Sequence, residues 1–179
     1  MFAVLCVFLG NLVSINVSGC RKMSNSALFA ILRNSPLLSE IRMESTGIGI
    51  GSIPWLDLVI YHQLKSLHLA HNSYLRDEVI YLYSRINDEV LYAISNFCPQ
   101  LQQLDLERCY GITEKGVRLL VEKCTHLREI NLRYCCELST NFVAWMIFSR
   151  PSLRKIMAPP HFRACDDDGK LLFRRCLVC

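Results

Sequence analysis

One spacing governs this chain. Leu101, Leu104, Leu106, Cys109 and Ile112 are followed 26 residues later by Leu127, Ile130, Leu132, Cys135 and Leu138. Apolar residues stand at offsets 0, 3, 5 and 11, with Cys at offset 8. The same frame fits Leu12, Ile15, Val17, Cys20 and Met23, then Leu38, Ile41 and Met43, then Leu64, Leu67, Leu69, Asn72 and Leu75. A half-frame opens at Leu153 and Ile156, so successive steps are 26, 26, 37, 26 and 26 residues. A unit this short cannot bury its own apolar face. Units must stack, and the stack is a solenoid.

Each offset has a physical meaning. The L-x-L pair places two apolar side chains on one face of a short strand. Ile112, Val117 and Leu120 continue as a helical stripe. Thr113 is the expected helix N-cap, Glu114 favours the first turn, and Cys124 closes the helix on the inside. The expected fold is α/β, a right-handed solenoid of about five units. Parallel strands line its concave face and helices cover the convex one. It is expected to occupy residues 1–158, irregular at 46–63 and 75–97, and to be followed by a basic tail over 159–179.

The chain has ten Cys. Cys20, Cys109 and Cys135 hold offset 8, where Thr46 and Asn72 stand in other units; Cys98 and Cys124 hold offset 23. These positions call for small, weakly polar, buried side chains, so the five thiols are expected to be reduced and inert. Reduced thiols point to the cytoplasm or nucleus. The apolar N-terminus imitates a signal peptide, and Val17-Ser18-Gly19-Cys20 imitates a lipoprotein box. No Lys or Arg precedes the apolar run and no clean cleavage site follows. The same residues belong to the repeat, and so does the sequon Asn16-Val17-Ser18.

The run Leu101-x-x-Leu104-x-Leu106-x-x-Cys109-x-x-Ile112-Thr113-x-x-Gly116-Val117-x-x-Leu120-x-x-x-Cys124 resembles the cysteine-containing leucine-rich repeat of F-box/LRR proteins, the RNI-like superfamily. The resemblance runs from Leu5 to about Ala158. Leu127-Arg-Glu-Ile-Asn-Leu, Val143-Ala-Trp-Met and Ser149-Arg-Pro-Ser-Leu-Arg-Lys-Ile look especially like plant members. It implies the substrate-recognition part of an SCF-type ubiquitin ligase, in which repeats hold a target and an F-box docks on the cullin adaptor. Nothing here looks like an F-box, and the frame begins inside a repeat. A truncated chain or partial gene model is therefore expected.

Two stretches break the frame. Thr46-Gly-Ile-Gly-Ile-Gly-Ser-Ile-Pro lacks a helical stripe and reads as loop. Its Gly47-x-Gly49-x-Gly51 is not spaced as a dinucleotide loop, and no P-loop Lys follows. The 37-residue step holds an echo, Leu75-Arg-Asp-Glu-Val79 and Ile86-Asn-Asp-Glu-Val90. Helical spacing across it suggests one fused helix from about Arg76 to Phe97, or else a deletion junction.

No enzyme constellation is present. His62, His68, His71, His126 and His161 form no H-E-x-x-H, and no G-x-S-x-G elbow occurs. The paired carboxylates Asp77-Glu78 and Asp88-Glu89 read as helix starts. No catalytic residue, cofactor or metal is expected. Offsets 2, 4 and 6 of each strand face away from the core. The candidate partner-binding residues are Glu40, Arg42, Glu44, His68, Gln103, Asp105, Glu107, Glu129, Asn131 and Arg133, flanked by Ser14, Asn16, Ser18, Ser66 and Ala70. The set lacks aromatic–basic interleaving, so a protein target is expected and nucleic acid is not.

The net charge of +4 lies wholly in residues 150–179, where seven Lys or Arg face three Asp. The body is neutral, which also argues against nucleic acid. The last residues, Arg174-Arg175-Cys176-Leu177-Val178-Cys179, form a C-a-a-X pattern with an unusual final Cys. It offers Cys176 as a possible prenylation site with weak membrane association. A competing zinc pattern, His161-x3-Cys165 with Cys176-x2-Cys179, has the right bite on a short, Asp-rich loop. The rival to the ligase reading is a stand-alone repeat module or a prenylated, membrane-tethered scaffold.

Overall fold

A computed structural model describes residues 9–23, 25–46, 60–72, 86–160, 162 and 176–179. Seven strands lie among the described residues: β1 (Ser14–Asn16), β2 (Glu40–Arg42), β3 (Ser66–His68), β4 (Gln103–Asp105), β5 (Glu129–Asn131), β6 (Lys155–Met157) and β7 (Leu177–Val178). They form one parallel sheet in chain order. The described helices are α1 (Asn25–Asn34), α2 (Asp88–Phe97), α3 (Glu114–Lys123) and α4 (Thr140–Ser149). Strand centres Ile15, Ile41, Leu67, Leu104, Ile130, Ile156 and Val178 lie in one lateral line. The 37-residue step keeps this register, with Leu67 opposite Leu104. Its extra length therefore lies wholly between strands.

The repeat offsets become columns of the core. Leu64, Leu101 and Leu127 at offset 0 and Met43, Leu69, Leu106 and Leu132 at offset 5 are buried. From α3, Val117 and Leu120 reach the same core. The Thr113 hydroxyl caps α3 by accepting from the Lys115 amide at 3.2 Å, and Cys124 stands buried at its C-cap. Thr113, Glu114 and Cys124 thus hold the places that the spacing assigns them.

The fused helix is corrected. Asn87 is extended (φ −130°, ψ −177°), its side chain accepts from the Glu89 and Val90 amides, and its backbone bridges to Gly111. An N-cap residue cannot also continue a preceding helix, so α2 starts at Asp88. Residues 73–85, with Asp77-Glu78, lie outside the described residues, as do 47–59 with their glycines.

The offset-8 column is a buried ladder linking units. Asn72 Nδ2 donates to Met43 O at 2.7 Å and to Leu69 O at 2.8 Å, while its Oδ1 accepts from the Thr46 amide at 2.7 Å. Cys109 Sγ points to Leu69 O at 3.4 Å, and Cys135 Sγ to Leu106 O at 3.2 Å. Burial pushes the Cys98, Cys109, Cys124 and Cys135 thiols up, Cys124 and Cys135 to about 12. Cys20 departs from the expectation: it is exposed. It belongs to the first unit of the sheet, where only one side of the ladder is covered among the described residues.

The residue before each ladder position is left-handed. Gly19, Ser45, His71, Arg108 and Tyr134 have φ of 77°, 54°, 59°, 59° and 61°. This reversal turns the chain out of the strand and drops the next side chain into the core. The region is relaxed for glycine and strained for the other four.

The basic tail also needs correcting at its end. Leu177 and Val178 pair with β6, the Ala158 amide donates to Cys179 O at 2.8 Å, and Cys176 is buried. Apolar burial and backbone pairing tie the last residues of the basic tail to the sheet.

Candidate partner-binding face

Offsets 2, 4 and 6 form three lateral rows on the sheet face away from the helices. The first row runs Ser14, Glu40, Ser66, Gln103, Glu129, Lys155; the second runs Asn16, Arg42, His68, Asp105, Asn131, Met157. Strands about 4.8 Å apart keep neighbours within contact range. The ten candidates therefore lie on one continuous surface, and the sheet brings all of them together.

The surface is organised by polar pairs. Arg42 Nε donates to Glu40 Oε1 at 2.8 Å, which holds the Glu40 carboxyl below its ordinary range. Ser66 Oγ lies 3.0 Å from His68 Nε2 and donates to Gln103 Oε1 at 3.1 Å. His68 Nδ1 stands 3.9 Å from Asp105 Oδ2, beyond hydrogen-bond range, so that attraction is electrostatic. Burial raises the Asp105 carboxyl, but the His68 ring, the Glu107 amide and Asn131 together outweigh it and hold the group low. Asp105 is therefore an anion at neutral pH.

Exposure sorts the candidates. Arg42, Gln103 and Arg133 are exposed; Glu40, Glu44, His68, Asp105, Glu107 and Glu129 are half-buried. Asn131 is corrected: it is buried, and Asn131 Nδ2 donates to Glu107 Oε2 at 3.2 Å. It positions Glu107 and does not face a partner. Ser66 and Ala70 are buried as well.

The offset-7 residues were missing from the sequence-derived set. His71, Arg108 and Tyr134 stand beside the third row; His71 and Tyr134 are exposed and Arg108 is half-buried. Arg108 lies over the Tyr134 ring at 4.9 Å from its centroid. Gly19 at the same offset was the available signal, because a glycine there marks a left-handed turn that throws its side chain outward in the other units.

Among the described residues, no group of three or more His, Cys, Asp or Glu is placed to hold a metal. His161 and Cys165 lie outside them. No described helix is long and apolar enough to cross a membrane. Cys176 is 1% exposed and its thiol is pushed up to about 11 by burial.

The comparisons with known proteins agree with the geometry. A family model described as Leucine Rich repeat matches residues 123–140, which span the end of α3, β5 and the entry to α4. The chain is a leucine-rich-repeat solenoid. It is similar to F-box/LRR-repeat protein 4 of Bos taurus, with 36% identity over 81 residues. That match covers 44% of this chain and 13% of the relative, so the chain spans only a small part of the relative's length. Both likenesses are to leucine-rich-repeat proteins.

Proposed function

We propose that the solenoid is the target-recognition part of an SCF-type ubiquitin ligase, and that its target is a protein held on the face built by β2 to β5. The observation that carries the reading is the register. Six strands keep their polar residues in lateral rows across the 37-residue step, so the face forms one uninterrupted surface. Glu40, Arg42, Glu44, His68, Gln103, Asp105, Glu107, Glu129 and Arg133 contact the target, and Asn131 supports Glu107. The likeness to an F-box/LRR-repeat protein supports the ligase setting, and the plant-like stretches make a plant-type member part of the same proposal. The module performs no chemistry. It holds a target near a ubiquitin-charged enzyme supplied by other subunits, and proximity gives the rate. Buried thiols fit a cytoplasmic or nuclear site of action.

The test is site-specific photo-crosslinking of the full protein in its native cells. A cross-linker at Gln103 should capture a protein that one at Glu122, on the exposed side of α3, does not. That protein should accumulate when the proteasome is inhibited, and a cullin adaptor should co-purify. Equal capture from both positions would remove the face. Capture from Gln103 without adaptor or accumulation would favour the stand-alone module. A prenylated, membrane-tethered form requires Cys176 to leave the core and β7 to leave the sheet.

A further inference from the structure

The rim of the face carries a feature of its own. His71, Arg108 and Tyr134 are lateral neighbours at offset 7, and all three have positive φ. Glycine is the relaxed residue there, yet three units in succession place large side chains. Beside them, at offset 6, stand Ala70, Glu107 and Arg133.

The charges of this rim are unbalanced. Glu107 Oε1 is 3.9 Å from His71 Nε2 and 4.0 Å from Arg108 Nε, too far to hydrogen-bond to either. Its Oε2 is occupied by Asn131. Arg108 Nε is shielded from water and has no acceptor within hydrogen-bond distance. Arg133 has no side-chain acceptor among the described residues. Arg108 and His71 therefore share one carboxylate, and Arg133 has no ion-pair partner among the described residues. The Arg108 Nε is closed to a ligand oxygen as it is to water, so Arg108, with its side chain 43% exposed, can receive an acceptor only at its terminal nitrogens. The ring of Tyr134 meanwhile holds the Arg108 plane in place.

We propose that this rim is a subsite for a carboxylate side chain of the protein target, received by Arg108 and Arg133 beside the Tyr134 ring. A planar carboxylate matches the guanidinium fork. Glu107 beside it opposes a more highly charged anion such as phosphate. The inference rests on the face being the target-binding surface, and it names the chemistry of the target at one edge of it.

The test uses the full chain, isotope-labelled, at low salt. A hexapeptide of alternating Glu and Gly should shift the Arg108, Arg133 and Tyr134 resonances saturably and leave Arg128 unmoved. Its Gln counterpart and inorganic phosphate should shift none of these resonances. Arg108→Gln should weaken binding about tenfold, the loss of one charge-assisted hydrogen bond. Arg133→Gln, at a relaxed backbone position, should weaken it as well without a fold change. Equal shifts at Arg128, or affinity unchanged in both variants, would overturn the subsite. So would tighter binding of phosphate than of the Glu peptide. In the cross-linking assay, capture from Gln103 at full yield in Arg108→Gln overturns the subsite and leaves the face standing. Failure of capture in the unaltered protein overturns the face itself.

Discussion

Thr113 donates both its amide and its hydroxyl to the carboxylate of Asp88, at 2.8 and 2.7 Å. The first turn of α2 thereby fixes the N-cap of α3. The pattern repeats one unit on, where Glu114 accepts from the Ser139 amide at 2.9 Å and is held low by the Ser139 side chain first and by that amide second. Gly116 is part of the same joint. A Cβ built there meets the Asp88 carboxylate, with Asp88 Cγ at 2.7 Å and the Asp88 backbone at 3.1 Å. Gly116→Ala should destabilise the fold by about 1–3 kcal/mol through overpacking. Asp88→Ala should cost about 1–3 kcal/mol by leaving the Thr113 donors unmet. The double variant should cost less than the sum, because the clash needs both partners. Urea unfolding of the four proteins checks this, and strict additivity would contradict it.

The ladder makes a prediction about thiol chemistry. A thiolate is the reactive form, and burial denies it to Cys98, Cys109, Cys124 and Cys135. In the native protein, Cys20, Cys136 and Cys179 should react with a thiol reagent within minutes, and those four should react only on unfolding. Cys176 should behave like the four. Mass spectrometry of timed labelling separates the classes. Fast labelling of Cys176 would mean that β7 detaches readily, and would reopen the prenylation reading.

Backbone strain gives a third prediction. Ser45 is exposed, with φ 54°, so Ser45→Gly should stabilise by a few tenths to about 1 kcal/mol. Gly19 has open space around its Cβ position, so Gly19→Ala tests the backbone alone. It should cost about 1 kcal/mol. Opposite signs in thermal unfolding are the expected result, and a stabilising Gly19→Ala would contradict it.

What could be read from the sequence was the periodic part. Offsets 0, 3 and 5 became buried columns because strand alternation leaves no other face for them, and Thr113 capped α3 because its hydroxyl had one orphan amide to serve. Of what escaped, three cases have a clear physical reason. Cys20 shares its offset with Cys109, but burial depends on neighbours on both sides. The helical spacing from Val79 to Ile94 was real, yet Asn87 broke it, because a cap competes locally with helix continuation. The rim was invisible because a left-handed residue is marked in sequence only when it is glycine, as at Gly19, and His71, Arg108 and Tyr134 carry no such mark.

The Asp105 carboxyl sets a pH dependence. Its ordinary value is 3.8, and its native value is lower. A depressed carboxyl contributes stability that is fully present above the ordinary value. That contribution is lost as pH falls through the native one, because the unfolded chain then binds the proton more readily. Stability should therefore decline below about pH 4. Asp105→Asn removes the titrating group, so its urea midpoint should fall less between pH 5 and pH 2.5 than that of the unaltered protein. Glu40 and Glu114 are also held low but lie at the surface, where solvent screens them. Glu114→Gln should accordingly flatten the curve less than Asp105→Asn. The reverse order would place the acid-sensitive contact at the helix joint and not on the face.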